Sequence, residues 1–103
     1  MITVIFRMKM KDGKEAAALA HLNKMTKAVE ENESDAAAYI AHRSQDDANE
    51  VVFFEMYKDD AAFKAHSETP HMAEMRASIA ELFDLSQVKL ERLDRVAGFS
   101  RPS

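Results

Sequence analysis

Apolar and polar side chains alternate along the first ten residues of the chain. The apolar residues on every second position are Ile2, Val4, Phe6, Met8 and Met10. A repeat of two is typical of a β-strand, because successive side chains of a strand point to opposite faces. A strand is therefore predicted over residues 2–10, and Asp12-Gly13 favours a turn after it.

The next segment has a repeat of three or four residues. From Lys14 to about Glu31 it is rich in Ala, Leu, Lys and Glu, and its regularly spaced apolar residues are Ala18, Leu22, Met25 and Val29. This spacing places them on one face of an amphipathic helix. The polar run from Asn32 to Asp35 ends that helix.

Two more strands are predicted in the middle of the chain. Ala36 to Arg43 and Glu50 to Lys58 have strand-like composition. The residues between them, 44–49, are mostly short and polar and favour a turn. We expect the two strands to pair as an antiparallel hairpin.

Two N-caps mark the helices of the second half. Asp59 is the predicted N-cap of a short helix that runs through His66, because an acid suits the positive end of the helix dipole. Thr69 is the next predicted N-cap, with Pro70 at the first helical position, and this helix ends near Phe83.

The last predicted strand is Ser86 to Leu93, and residues 94–103 form a tail. The order β-α-β-β-α-β predicts a ferredoxin-like α+β fold with one antiparallel sheet. A chain of 103 residues has room for one core, so a single domain over 1–103 is expected.

Both faces of the predicted sheet carry large apolar groups. On the third strand one face carries Val51, Phe53, Glu55 and Tyr57. The opposite face carries Val52, Phe54, Met56 and Lys58. A sheet with one solvated face would alternate apolar with polar residues, so the second face also needs cover. We expect the same sheet of a second subunit to cover it in a homodimer.

Composition excludes several classes of function. The 14 basic residues are scattered among 18 acidic ones, which disfavours nucleic acid and anionic membrane surfaces as partners. The chain has no cysteine, which excludes disulfides and thiolate chemistry. No apolar run approaches the length of about 20 residues that spans a bilayer. We therefore expect a cytoplasmic protein.

One part of the sequence resembles a known family. The segment Glu55-x-Tyr57-x-Asp59, followed by Ala62-x-x-x-His66 and Thr69-Pro70-His71-Met72, is similar to the antibiotic-biosynthesis-monooxygenase-like domain. The resemblance covers most of the chain. It implies a dimeric α+β barrel with the order of strands and helices given above.

The resemblance also implies a choice of reactions. Some members are cofactor-free monooxygenases that oxidise polycyclic phenols, anthrones or quinols, others degrade haem, and one isomerises a phosphorylated diketone in autoinducer degradation. This chain lacks the tryptophan of the haem-degrading pocket, and Glu33-Ser34-Asp35-Ala36 replaces the family's usual turn before the second strand. We expect a monooxygenase that oxidises a small phenolic or quinol substrate with O₂. The alternatives are an isomerase of a small dicarbonyl compound and a non-catalytic dimer that binds a small ligand.

Three residues are candidates for acid–base catalysis. Glu55 lies in an apolar strand, where burial raises the pKa of a carboxyl, so it is either a base or the partner of Arg7, Arg43 or Arg92. His66 is either a base or a cap for the end of its helix. His71 is either a second catalytic group or a bond to the preceding loop.

Other candidates concern binding. Tyr57 and Tyr39 either hydrogen-bond a substrate carbonyl or pack in the core, and a phosphorylated substrate would need Arg7, Arg43 or Arg76. The sequence supplies two histidines in this segment but no third ligand, so no metal is predicted. It also lacks a glycine-rich phosphate loop, so no cofactor is predicted.

Overall fold

The computed structural model describes residues 1–102 and contains four strands and three helices. In chain order these elements are β1 (Ile2–Met10), α1 (Glu15–Asn32), β2 (Ala36–Arg43), β3 (Glu50–Tyr57), α2 (Asp60–Ser67), α3 (Pro70–Leu82) and β4 (Phe83–Asp94). The predicted ferredoxin-like α+β fold is confirmed. The helical connection between β3 and β4 consists of two helices, α2 and α3, each with its own cap.

The four strands form one antiparallel sheet in the order β2-β3-β1-β4. Its register aligns Glu55 of β3 with Tyr39 of β2 and with Val4 of β1, which in turn lies opposite Arg92 of β4. Side chains that are paired in this way share a face of the sheet. Tyr39 and Glu55 therefore lie on the face that carries the helices.

The core lies between this face and the helices. Its buried residues are Met8, Met10, Ala18, Leu22, Met25, Val51, Phe53, Met75, Leu82 and Phe83. The four buried residues of α1 are the four whose spacing predicted its apolar face. Removal of these groups from water supplies most of the driving force for folding.

Side-chain caps fix the junction between α2 and α3. The Asp59 carboxylate accepts a hydrogen bond from the backbone N–H of Ala62 at 2.9 Å, and the Thr69 hydroxyl oxygen accepts one from Met72 at 3.3 Å. The same Thr69 hydroxyl donates to the carbonyl of His66 at 2.8 Å. Both predicted N-caps are confirmed, and the second one joins the end of α2 to the start of α3.

The last strand begins earlier than predicted. It starts at Phe83 instead of Ser86, directly after α3, because Phe83 pairs with Met10 and is fully buried. The register between β1 and β4 then shifts between Arg7 and Lys9 of β1. This irregularity interrupts the alternating pattern of β4, so the sequence does not reveal where the strand begins. The strand continues to Asp94, and residues 95–102 are irregular. The predicted tail also includes Ser103, which lies outside the described residues.

The face of the sheet that points away from the helices is apolar at its centre. Ile40, Phe54 and Ile5 lie side by side across β2, β3 and β1. None of the three is fully buried, and Ile40 is 50% exposed. We call the surface formed by Ile5, Ile40, Phe54 and Met56 the outer face.

None of the helices in residues 1–102 is long and apolar enough to cross a membrane.

Candidate functional site

A cavity of about 230 Å³ lies between the helix-bearing face of the sheet and helices α2 and α3. Its lining residues are Phe6, Tyr39, Glu55, Phe63, His66, Ser67, Met72, Met75, Arg76, Ile79 and Leu90. Most of them are apolar, and the ionisable groups are few. Other surface depressions are more polar. The depression around Lys9, for example, contains the ion pair between Lys9 and Asp47, whose charged atoms lie 2.5 Å apart. The apolar cavity with a few polar groups is therefore the candidate ligand site.

Glu55 is one of the ionisable groups of the cavity. It is only 5% exposed, and burial raises the pKa of its carboxyl to about 7. The Tyr57 hydroxyl donates a hydrogen bond to Glu55 at 2.5 Å, which opposes the rise in pKa, whereas the charge of Glu33 adds to it. A carboxyl that titrates near neutrality can both take up and release a proton at physiological pH.

The predicted arginine partners of Glu55 lie elsewhere. Arg7 pairs with Glu50 at 3.4 Å, Arg43 with Glu15 at 2.6 Å, and Arg92 with Asp60. Arg7 lies opposite Val52 in the register, on the other face of the sheet from Glu55. The ion-pair interpretation of Glu55 is wrong, because its partner is the Tyr57 hydroxyl.

His66, the second ionisable group of the cavity, forms a network with Glu33 and His71. His66 Nδ1 lies 2.7 Å from Oε1 of Glu33, and His71 Nε2 lies 2.5 Å from Oε2 of the same carboxylate. We call these three residues the His–Glu–His cluster. Each histidine donates a ring N–H to the carboxylate, because a carboxylate can only accept. His66 and His71 thus interact with each other through Glu33, and neither acts simply as a helix cap or loop contact.

The environment of His66 favours its neutral form. Burial lowers the pKa of His66, with further contributions from the neighbouring His71 and Arg76, while Glu33 opposes this effect. With its Nδ1 proton directed at Glu33, the neutral ring keeps an unprotonated Nε2. The rings of Tyr39 and Tyr57 lie 5.3 and 5.2 Å from the His66 ring, so aromatic groups hold it in place.

The remaining predicted binding residues divide into two groups. Tyr39 lines the cavity, while Tyr57 is fully buried behind Glu55 and its hydroxyl is used by that carboxyl. Arg7 and Arg43 do not line the cavity, because their salt bridges hold them on the outer face and near the start of α1. Arg76, a predicted ligand for a phosphorylated substrate only, does line it.

Glu33 was missed as a site residue by sequence reasoning. It follows α1 as its C-cap residue, and in the sequence it looks like part of a polar loop. One signal was present, because a carboxylate at the negative end of a helix is electrostatically unfavourable and calls for a compensating partner. The residues that provide it, His66 and His71, lie more than 30 positions away, at separations of 33 and 38 residues.

Comparison with known proteins identifies the same fold elsewhere. The family model described as antibiotic biosynthesis monooxygenase matches residues 1–78. The structure of Rv0793 from Mycobacterium tuberculosis is similar, with 27% identity, a TM-score of 0.85, and coverage of 96% of this chain and 98% of that one. PA3566 from Pseudomonas aeruginosa shares 25% identity with a TM-score of 0.82, over 93% of this chain and 94% of its own. No curated protein matches the chain.

Proposed function

As the chain belongs to the antibiotic biosynthesis monooxygenase family, we propose that it oxidises a small phenolic or quinol substrate with O₂ and without a cofactor. The observation that carries this proposal is the position of His66. Its ring lines an apolar cavity, and the Glu33 carboxylate holds its Nδ1 at 2.7 Å. A histidine that is oriented by a carboxylate is a recurrent arrangement for a general base.

The proposed reaction begins with the transfer of a proton from the substrate hydroxyl to Nε2 of His66. The resulting phenolate or quinolate is electron-rich and reduces O₂ directly, and a carbon–oxygen bond then forms between the two. Cleavage of the O–O bond leaves one oxygen atom in the product and releases the other as water. For a simple quinol, the products are a hydroxyquinone and water, and all the electrons come from the substrate.

Glu55 is the proposed proton donor for the second half of the reaction. O–O cleavage requires a proton on the departing oxygen, and a carboxyl whose pKa is about 7 carries one in a large fraction of molecules at neutral pH. The Tyr57 hydroxyl keeps this carboxyl in place. Two groups of different chemistry thus share one cavity, as acid–base catalysis requires.

The lining of the cavity favours an aromatic substrate over a phosphorylated one. Phe6, Phe63 and Met72 are among the apolar residues that would contact the ring of a quinol. A phosphate group is usually bound by several cations or backbone N–H groups, and Arg76 is the one arginine among the lining residues. The isomerase alternative is therefore the weaker candidate.

The proposed active form is a homodimer joined through the outer face. Ile5, Ile40 and Phe54 form an apolar surface that no element of residues 1–102 covers. Beyond Phe83 and Asp84, every residue of β4 is exposed, which also leaves room for a second subunit. Burial of such surfaces is the usual driving force for the association of identical chains.

Oxygen uptake on a panel of quinols and anthrones tests the proposed function. We expect the protein to consume O₂ with at least one of them, and His66→Ala to lower kcat by about 10²–10⁴-fold, the usual contribution of a general base. The matched control is His42→Ala, because His42 is an exposed histidine that bonds to Val52 away from the cavity. Turnover by His66→Ala at the wild-type rate would remove His66 from the mechanism, and no oxygen uptake by the wild type with any compound would reject the proposed reaction.

A further inference from the structure

We infer that Glu33, His66 and His71 bind a divalent transition-metal ion such as Zn²⁺, and that the bound ion switches off the base of the oxidation reaction. The sequence alone disfavoured a metal, because it offered two histidines and no third ligand. The fold supplies that ligand by bringing Glu33 between them. Only the switching half of this inference rests on the proposed function, since metal binding can be measured without a substrate.

Three separate elements bring the ligand atoms together. Glu33 follows α1, His66 lies in the last turn of α2, and His71 lies in the first turn of α3. One ligand atom from each residue lies within 4.8 Å of the other two. Two histidines and one glutamate, with a fourth position left for water, form a known ligand set for zinc.

The cluster needs only a small adjustment to hold an ion. The present separations between the histidine nitrogens and the Glu33 oxygens, 2.5 to 3.0 Å, are those of hydrogen bonds, and all three ligand atoms lie within 4.8 Å of one another. Ligands that share a tetrahedral zinc ion at about 2.1 Å lie about 3.4 Å apart. Each histidine nitrogen would therefore move away from the Glu33 oxygens by less than about 1 Å, and the two histidine nitrogens would approach each other by no more than about 1.4 Å, within the reach of small rotations of the histidine rings.

A second cleft gives the cluster access to solvent. This cleft has a volume of about 200 Å³ and is lined by Glu33, Asp35, His66 and Thr69 among others. His66 is the one lining residue that it shares with the apolar cavity. The carboxylates of Glu33 and Asp35 favour a cation there, while the charge of Arg76 acts on His66 in the opposite sense. The cluster thus borders a cleft other than the substrate cavity, from which an ion can approach it.

Metal binding at Nδ1 changes which ring nitrogen of His66 carries the proton. In the metal-free cluster the proton is on Nδ1, and Nε2 has the lone pair that accepts the substrate proton. When the ion takes the lone pair of Nδ1, the neutral ring carries its single proton on Nε2 instead, by exchange with water. Nε2 then can only donate a hydrogen bond, so His66 cannot act as the base.

Titration of the metal-stripped protein with Zn²⁺, by competition with a chromophoric chelator, tests the site. We expect one ion per chain, visible absorption from a four-coordinate site when Co²⁺ is used, and a loss of Zn²⁺ affinity of about 100-fold or more in His71→Ala. His42→Ala is the matched control and should bind Zn²⁺ as the wild type does. Glu33→Gln provides a second variant if His71→Ala does not fold by circular dichroism. Wild-type affinity in a folded variant of the cluster, or no stoichiometric binding by the wild type, would overturn the site.

Two readouts test the switch. In ¹⁵N NMR of the histidine rings, Zn²⁺ should move the His66 proton from Nδ1 to Nε2, and a retained Nδ1 proton would overturn the switch. With a quinol that the metal-free protein consumes, one equivalent of Zn²⁺ should abolish oxygen uptake.

If no quinol is consumed, the proposed function fails while the Zn²⁺ titration still decides the site. If quinol is consumed but Zn²⁺ does not bind, the site fails and the proposed function stands.

Discussion

Burial of Glu55 lowers the stability of the chain, and Tyr57 offsets part of that cost. A carboxyl in an apolar strand is costly, and the protein reduces that cost with a single hydroxyl donor instead of a cation. A cation would have held the pKa of Glu55 low and kept the carboxyl ionised. A neutral donor leaves the pKa at about 7, where the group exchanges protons readily.

This arrangement gives a defined pH dependence of stability. Below the ordinary carboxyl pKa of 4.5, Glu55 is protonated in both the folded and the unfolded chain, so its ionisation does not affect stability. Between pH 4.5 and about 7 the unfolded chain releases the proton while the folded chain keeps it, so the free energy of unfolding decreases. The loss is on the order of 3 kcal/mol and is complete above pH 7.

Glu55→Gln should remove this loss, because glutamine has no charge and its oxygen still accepts from Tyr57. We expect the variant to match the wild type near pH 4 and to exceed its stability above pH 7. Urea denaturation across this pH range, at one fixed protein concentration, measures the difference. Glu50→Gln is a suitable control, because Glu50 is a half-buried strand glutamate paired with Arg7. A difference that does not change with pH would contradict the raised pKa.

At the scale of elements, the junction of α2 and α3 positions the histidines of the site. Thr69 caps α3 through Met72 and bonds back to the carbonyl of His66. One side chain therefore sets the relation between the last turn of α2 and the first turn of α3. His66 and His71 reach the same carboxylate because of this turn.

Thr69→Ala should lower the free energy of unfolding by about 1 kcal/mol, the usual value of an N-cap. Thr69→Ser keeps the hydroxyl and should retain most of this stability. Chemical denaturation of both variants gives the comparison. Equal stability of the alanine and serine variants would show that the hydroxyl does not hold the junction.

Local patterns predicted the elements, and tertiary contacts account for what they missed. The caps at Asp59 and Thr69 and the face of α1 were readable because their signals lie within a few neighbouring residues. The start of β4 was not, because Phe83 is extended through its pairing with Met10, far away in sequence. Glu33 was not predicted as a site residue for the same reason. Its contacts are with two helices, α2 and α3, that are distant from it in the sequence.

At the scale of the whole molecule, the sheet has two apolar faces and helices on only one of them. The cavity and the His–Glu–His cluster lie on the helix-bearing side. Phe54 lies at the centre of the outer face, between Ile5 and Ile40. Chemistry and the proposed self-association are thus assigned to opposite sides of one sheet.

Phe54→Arg should convert the proposed dimer to a monomer, because a charge at the centre of an apolar interface would be buried without a partner. Analytical ultracentrifugation should then give half the wild-type mass. Ala20→Arg, at an exposed position on the side of α1 that points away from the core, is the control and should leave the mass unchanged. A wild-type mass in Phe54→Arg would place the dimer interface elsewhere, and a monomeric wild type would reject the dimer.

The aromatic surroundings of His66 provide a built-in optical probe. The chain has no tryptophan and only two tyrosines, Tyr39 and Tyr57, whose rings both lie within 5.3 Å of the His66 ring. Emission excited at wavelengths that tyrosine absorbs and phenylalanine does not therefore originates next to the cavity. An excited tyrosine is a far stronger acid than in its ground state, and the Tyr57 hydroxyl already points at a carboxyl. Unlabelled protein can thus report occupancy of the cavity, or of the cluster, through changes in its own fluorescence.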